Sequence, residues 1–190
     1  MDDFVREFMA MAEDGDVEGV KSYLKLHVNV NIRENDAGNR TALMAAASGG
    51  RLEVIDLLLE HGAALELQDS EGKTALVCAI EYGKIDAVKK LLERGANPDA
   101  SDPWSKWTGL MYASIEGKRE IVELLLAHGV NPHATDSSGF TAHHYAKLSG
   151  HVDVAALLPD PMEITDSLDK GHSALIRLRR KLDVNRQVVR

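Results

Sequence analysis

Residues 69–99 read DSEGKTALVCAIEYGKIDAVKKLLERGANPD, and the same order of residue types returns at 136–158 as DSSGFTAHHYAKLSGHVDVAALL. Aligning the two on their threonines brings out two more copies, so that Thr41, Thr74, Thr108 and Thr141 head four equivalent segments. Single columns hold across all four: Ala46, Ala79, Ala113 and Ala146, then Gly50, Gly83, Gly117 and Gly150, then Leu58, Leu91, Leu125 and Leu158. Three copies add a second glycine at one offset, Gly62, Gly95 and Gly129. Self-similarity at a period near 33 residues is the signature of a solenoid.

Each column has a physical reading. Thr caps the start of a first helix by accepting from an orphan backbone N–H. The alanine one turn on lets neighbouring helices approach, and the next glycine ends the helix in the left-handed conformation. A second helix follows with apolar residues at helical spacing, such as Ile121, Val122, Leu124, Leu125 and Leu126. It ends at the second glycine, where His61, Arg94 and His128 suit the helix dipole. One such pair buries a single face against the next, so the stack is the stable object.

The copies resemble the ankyrin repeat, whose pattern runs D-x-x-G-x-T-P-L-H-x-A-A-x-x-G-x-x-x-V-V-x-L-L-L-x-x-G-A, over residues 3–159. The resemblance implies an all-α solenoid of stacked antiparallel helix pairs with β-hairpin-like finger loops. Its units are read at about 3–34, 35–68, 69–101, 102–135 and 136–159. The first keeps Phe8, Ala12, Gly15, Asp16, Val20 and Leu24 in register without the Thr-Pro-Leu start, as expected of a terminal cap. Residues 160–190, with a worn echo at Gly171, Ser173, Ala174 and Leu175, are read as a closing helix or half-repeat with a frayed tail. Glycine spacings of 35, 33, 34 and 33 residues place two extra residues before Thr41 and one before Thr108. Insertions in solenoids map to loops, often on the binding face.

Composition narrows the function classes. The formal charge is −8; residues 1–159 hold 15 basic and 25 acidic residues, and 160–190 hold seven and five. An acidic repeat body argues against nucleic acid as partner. The C-terminal basic run is read as a solvated helix face ahead of an acidic partner or membrane contact. No apolar run approaches the roughly 20 residues of a membrane span, and the start MDDFVREFMAMAEDG lacks the order of a secretory signal. Cys78 stands alone and is read as a small core residue in a reducing compartment. A cytoplasmic, monomeric protein is expected, with nuclear location or signal-independent export left open.

No G-x-x-x-x-G-K-[ST], G-x-G-x-x-G after a strand, G-x-S-x-G, H-E-x-x-H or paired C-x-x-C is present. Neither a cofactor nor a metal is expected. The cluster worth weighing is His143-His144. Adjacent helical residues point about 100° apart and poorly chelate one ion. His144 falls on the resemblance's own histidine column, which ties loops by hydrogen bonds. His143 replaces a leucine and puts a polar group toward the core, a sign of loosened packing.

The resemblance implies a concave groove lined by the residue before each Thr and the two before the first-helix glycine. The first column reads Arg40, Lys73, Trp107 and Phe140. The second reads Ser48-Gly49, Glu81-Tyr82, Ile115-Glu116 and Leu148-Ser149. Trp104 joins them from the lengthened finger stiffened by Pro103. Exposed aromatics flanked by acids suit an interaction hot spot, against the competing reading that Trp107 packs along its own finger. The expected function is therefore a non-catalytic protein-binding module, either an adaptor or a stoichiometric inhibitor. A pathogen-type effector or assembly subunit is the alternative, and an enzyme or metal-binding protein using His143 and His144 a more distant one.

Overall fold

A computed structural model describes residues 2–34 and 38–161. The described residues form ten α-helices in five successive pairs. They are α1 (Asp2–Asp14) with α2 (Val17–Leu24), α3 (Ala42–Gly49) with α4 (Leu52–Glu60), and α5 (Ala75–Glu81) with α6 (Ile85–Glu93). Then come α7 (Gly109–Ile115) with α8 (Arg119–Ala127) and α9 (Ala142–Leu148) with α10 (Val152–Ala155). First helices pack on first helices and second on second along the stack, the all-α solenoid expected.

The caps form as the sequence dictates. The hydroxyls of Thr41, Thr74 and Thr108 accept from the backbone N–H groups of Met44, Val77 and Met111, each at 3.4 Å. In the last unit His144 Nδ1 accepts from the Thr141 backbone N–H at 3.1 Å. Gly50, Gly83, Gly117 and Gly150 close the first helices at φ of 71°, 66°, 66° and 80°, where an L side chain is strained. At the second-helix ends the Nδ1 atoms of His61 and His128 donate to the carbonyls of Leu57 and Leu124 at 2.8 and 2.9 Å.

One core runs the length of the stack. The four alanines of the first-helix column are fully buried, as are Leu58, Leu91 and Leu125, with Leu158 nearly so. The first pair differs in having the longest helix, whose Phe4 and Phe8 stack on Tyr23 at 4.0 and 4.3 Å between ring centroids. Cys78 is buried, and burial pushes its thiol up to about 12. The segment expected to close the stack lies outside the described residues from 162 onward, and residues 35–37, ahead of Thr41, lie outside them as well.

The fingers are tied to one another. Ser70 N donates to Gly38 O at 2.7 Å, Gln68 Nε2 to Ser101 O at 3.0 Å, and Ser137 N to Ser105 O at 2.8 Å. Strand-like pairing among the described residues amounts to one isolated antiparallel bridge, Ser101 with Thr108, at the base of the lengthened finger.

Candidate functional site

Three of the fingers are each organised by one aspartate. Asp69 Oδ1 accepts from the N–H groups of Glu71 and Lys73 at 2.8 and 2.9 Å, and Asp136 Oδ1 from those of Ser138 and Phe140, both at 2.8 Å. Asp102 does more. Its Oδ1 accepts from Trp104 N at 3.0 Å and Ser105 N at 2.7 Å, and its Oδ2 from Trp107 N at 2.8 Å and the Ser105 hydroxyl. Burial raises the Asp102 carboxyl, but these donors outweigh it and hold the group below its ordinary range.

The extra residue of this finger lies inside it. Asp102 stands six residues before its Thr, whereas Asp69 and Asp136 stand five before theirs. The added length carries Pro103 and Trp104 outward, and Trp104 is 66% exposed. The turn is then completed by Lys106 at φ 59°, where the flanking units have Gly72 and Gly139 at 79° and 84°. A non-glycine residue is strained there and persists because its surroundings fix it.

In the second and third units the residue before the Thr bonds to the residue eight positions on, and these two positions change character along the stack. Arg40 donates to the Ser48 hydroxyl at 2.6 Å. Lys73 Nζ lies 2.7 Å from both Glu81 oxygens and 2.9 Å from Glu71, 5.6 Å from the centre of the Tyr112 ring. Burial disfavours the ammonium of Lys73, but the Glu81 carboxylate outweighs it and raises the group above the usual lysine range. The third and fourth pairs of positions, Trp107 with Ile115 and Phe140 with Leu148, are apolar.

Trp107 is only 4% exposed, which corrects the expectation of a solvent-facing ring. It lies edge-on to Tyr112 at 5.1 Å and 4.4 Å from Tyr145. Both tyrosines stand in one column, occupied earlier by the smaller Ala45 and Cys78, so the indole fills the space between two units. Phe140, Ile115 and Lys73 are likewise buried, and the Glu81 side chain is only 13% exposed. Tyr145 is held in place by its hydroxyl, which donates to Asp136 Oδ2 at 2.6 Å. Burial, together with that carboxylate, raises its phenol far above the ordinary range. Of the expected groove residues, Trp104 and Tyr82 are exposed while Arg40, Glu116 and Leu148 are half-buried.

The histidine pair has a structural account. His143 is buried, and its Nδ1 donates toward Ala155 O and Leu158 O at 3.1 and 3.3 Å, while its Nε2, 3.4 Å from Asp160, makes no hydrogen bond among the described residues. The polar replacement therefore ties α9 to the end of α10, instead of marking loosened packing. The ring of His144 serves its own helix start and meets Phe140 edge-on at 5.3 Å. Burial, then the neighbouring His143, lowers its pKa. Among the described residues no group of three or more His, Cys, Asp or Glu is arranged to hold a metal ion.

Sequence reasoning passed over a row of cations. The residue after each first-helix glycine is Arg51, Lys84, Lys118 or His151. Arg51 Nε donates to Glu13 O at 2.7 Å and Lys118 Nζ to Glu81 O at 2.5 Å, each reaching back to the end of the preceding first helix. The signal was a column of basic residue types, Arg51, Lys84, Lys118 and His151, visible in the four aligned copies.

Two comparisons bear on this chain. A profile of ankyrin repeats matches residues 8–102 and 99–170, in three copies. The chain is also similar to serine/threonine-protein kinase 12 of Arabidopsis thaliana, at 39% identity over 61 residues. That stretch is 32% of this chain, and it spans only 13% of the kinase. No described helix is long and apolar enough to cross a membrane.

Proposed function

The chain belongs to the ankyrin repeat family, whose repeats are generally protein–protein interaction modules, and on that premise we propose that it is a non-catalytic module docking one partner protein. The contact surface runs from the exposed Trp104 finger across Tyr82, Leu148, Arg40 and Glu116. Trp107, Phe140, Ile115 and the Lys73–Glu81 pair form the buried shelf that supports it. The observation that carries this is the exposure of Trp104 on a finger pinned by four hydrogen bonds to one carboxylate. A large aromatic held rigidly in water loses little entropy on binding, which is what interface anchors require.

Within this reading the protein acts as an adaptor or a stoichiometric inhibitor in the cytoplasm, monomeric when alone. An effector or assembly subunit would use the same surface. Kinase activity is not proposed, because the likeness to the plant kinase spans 13% of that protein and no G-x-G-x-x-G follows a strand in this chain. The test is affinity capture from the native source with the wild-type protein and with Trp104→Ala. Loss of a specific co-purifying protein with the variant, at unchanged helicity, supports the docking role. Equal recovery by both proteins removes Trp104 from the contact.

A further inference from the structure

We propose that His143 is a proton-operated clasp on the last unit, gripping the end of α10 and Asp160 when its ring carries two protons and releasing Asp160 when it carries one. The idea is independent of the docking role. His143 stands in the column of Leu43, Leu76 and Leu110, where an apolar side chain meets the core at no polar cost. A ring with two nitrogens in that column must find partners for both or destabilise the unit.

The partners settle which nitrogen holds the first proton. Carbonyl oxygens only accept, so the contacts with Ala155 O and Leu158 O, at 3.1 and 3.3 Å, require a proton on Nδ1. In the neutral ring Nε2 is then a bare lone pair. Its side chain is 7% exposed, and Nε2 makes no hydrogen bond among the described residues, yet it faces Asp160 Oδ1 at 3.4 Å. A lone pair set against a carboxylate oxygen is repulsive. A second proton turns the same contact into a charge-assisted pair. The other oxygen of Asp160 is taken by Lys147 Nζ at 3.3 Å, which leaves Oδ1 to the ring.

The adjacent histidine is held in the opposite state. His144 Nδ1 accepts from the Thr141 N–H at 3.1 Å, which it can do only without a proton on that nitrogen. Burial and then His143 lower its pKa, which acts in the same direction. The charge is therefore carried by one ring of the pair. Among the described residues the other charged or titratable groups about the pair are Lys147 on α9, Asp160 past α10, and Asp136 in the finger ahead of α9, which accepts from Tyr145. Tyr112 of α7 lies against Trp107 and Lys73, and Asp153 of α10 lies beside Arg119.

The sign follows from the count of acceptors. The charged ring serves three and the neutral ring two, so the clasp is complete in acid and its grip on Asp160 is lost as pH rises through the range where histidines change charge, about pH 5 to 8. Asp102 works the other way, since its depressed carboxyl contributes least in acid.

The test uses the full chain, with His143→Leu to restore the column and Asp160→Asn at an exposed position. Thermal melts at about pH 5.5 and about pH 8 are compared as the difference between wild type and His143→Leu, so that contributions from the other histidines cancel. The midpoint difference should favour wild type by about 2–4 °C more at the lower pH. Asp160→Asn should abolish that change, because an amide at 160 carries no charge and can donate to the neutral ring. Ring-nitrogen NMR of the wild-type protein should show both nitrogens of His143 protonated at the lower pH and Nδ1 alone at the higher, with His144 lacking a proton on Nδ1 at the higher. A difference that is flat or of opposite sign, or one that survives Asp160→Asn, overturns the clasp. If His143→Leu does not fold, the NMR spectrum decides: a His143 ring that stays singly protonated at the lower pH, or carries its one proton on Nε2 at the higher, overturns it as well.

Discussion

Lys73 Nζ sits 2.7 Å from both carboxylate oxygens of Glu81, and both side chains are largely buried. Desolvating two charges is costly unless they satisfy each other. Removing one partner is thus worse than removing both. Glu81→Ala should destabilise the fold by about 2–4 kcal/mol, moderated by Glu71, which remains beside the ammonium. Lys73→Met with Glu81→Leu should come out near neutral, and urea melts of the three proteins decide. A double variant as unstable as Glu81→Ala would mean that the pair contributes more than mutual neutralisation.

Asp102 gives the finger a pH dependence of defined sign. Its carboxyl is depressed in the folded state by the donors around it, so its contribution is fully present above the unfolded value of about 3.9 and fades as pH falls through the folded value. Asp102→Asn should cost about 1.5–3 kcal/mol at neutral pH. The difference from wild type should shrink in acid, below about pH 4. Denaturation followed at several pH values checks it, and a gap that widens in acid would contradict the carboxylate's role.

Lys106 holds a left-handed backbone where the neighbouring fingers use glycine. Lys106→Gly relieves that strain at the expense of a more flexible unfolded chain, for a net gain of about 0.5–1 kcal/mol. A higher melting midpoint with an unchanged Trp104 spectrum is expected. Loss of stability would show that the Lys106 side chain itself holds the turn.

Leu125 is fully buried on α8 between neighbouring second helices. Leu125→Ala should cost about 2–5 kcal/mol through lost transfer energy and the cavity left behind. A cost within error in denaturant melts would contradict the packing of that column.

The helices and their caps were legible in sequence because every unit repeats the same demand: Thr41 and Thr108 cap, Ala46 and Ala113 permit close approach, Gly50 and Gly117 close. The orientation of Trp107 was not. It depends on Tyr112 of its own unit and Tyr145 of the next, two positions where the column changes from small to large side chains. A column-wise reading treats each unit as equivalent and so misses what forms between two unlike ones. His143 escaped for a similar reason, since its partners are backbone carbonyls at Ala155 and Leu158, which no residue pattern reveals.

The two tryptophans separate stability from function. Trp107 is buried against two tyrosine rings, while Trp104 stands three residues away and 66% exposed. Trp107→Ala should cost about 3–5 kcal/mol, the range for removing a buried aromatic. Trp104→Ala should cost less than about 0.5 kcal/mol, because a surface change away from caps and cores rarely costs more. Binding should show the reverse order: Trp104→Ala weakens partner affinity by about 2 kcal/mol or more. Trp107→Ala, measured under conditions where it is fully folded, should cost less than that. Melts and titrations of both variants against the captured partner test the two halves independently. If Trp104→Ala unfolds the chain, the finger is part of the fold and its indole serves the stack; if it is stable but binds as well as wild type, the contact lies elsewhere on the inner face.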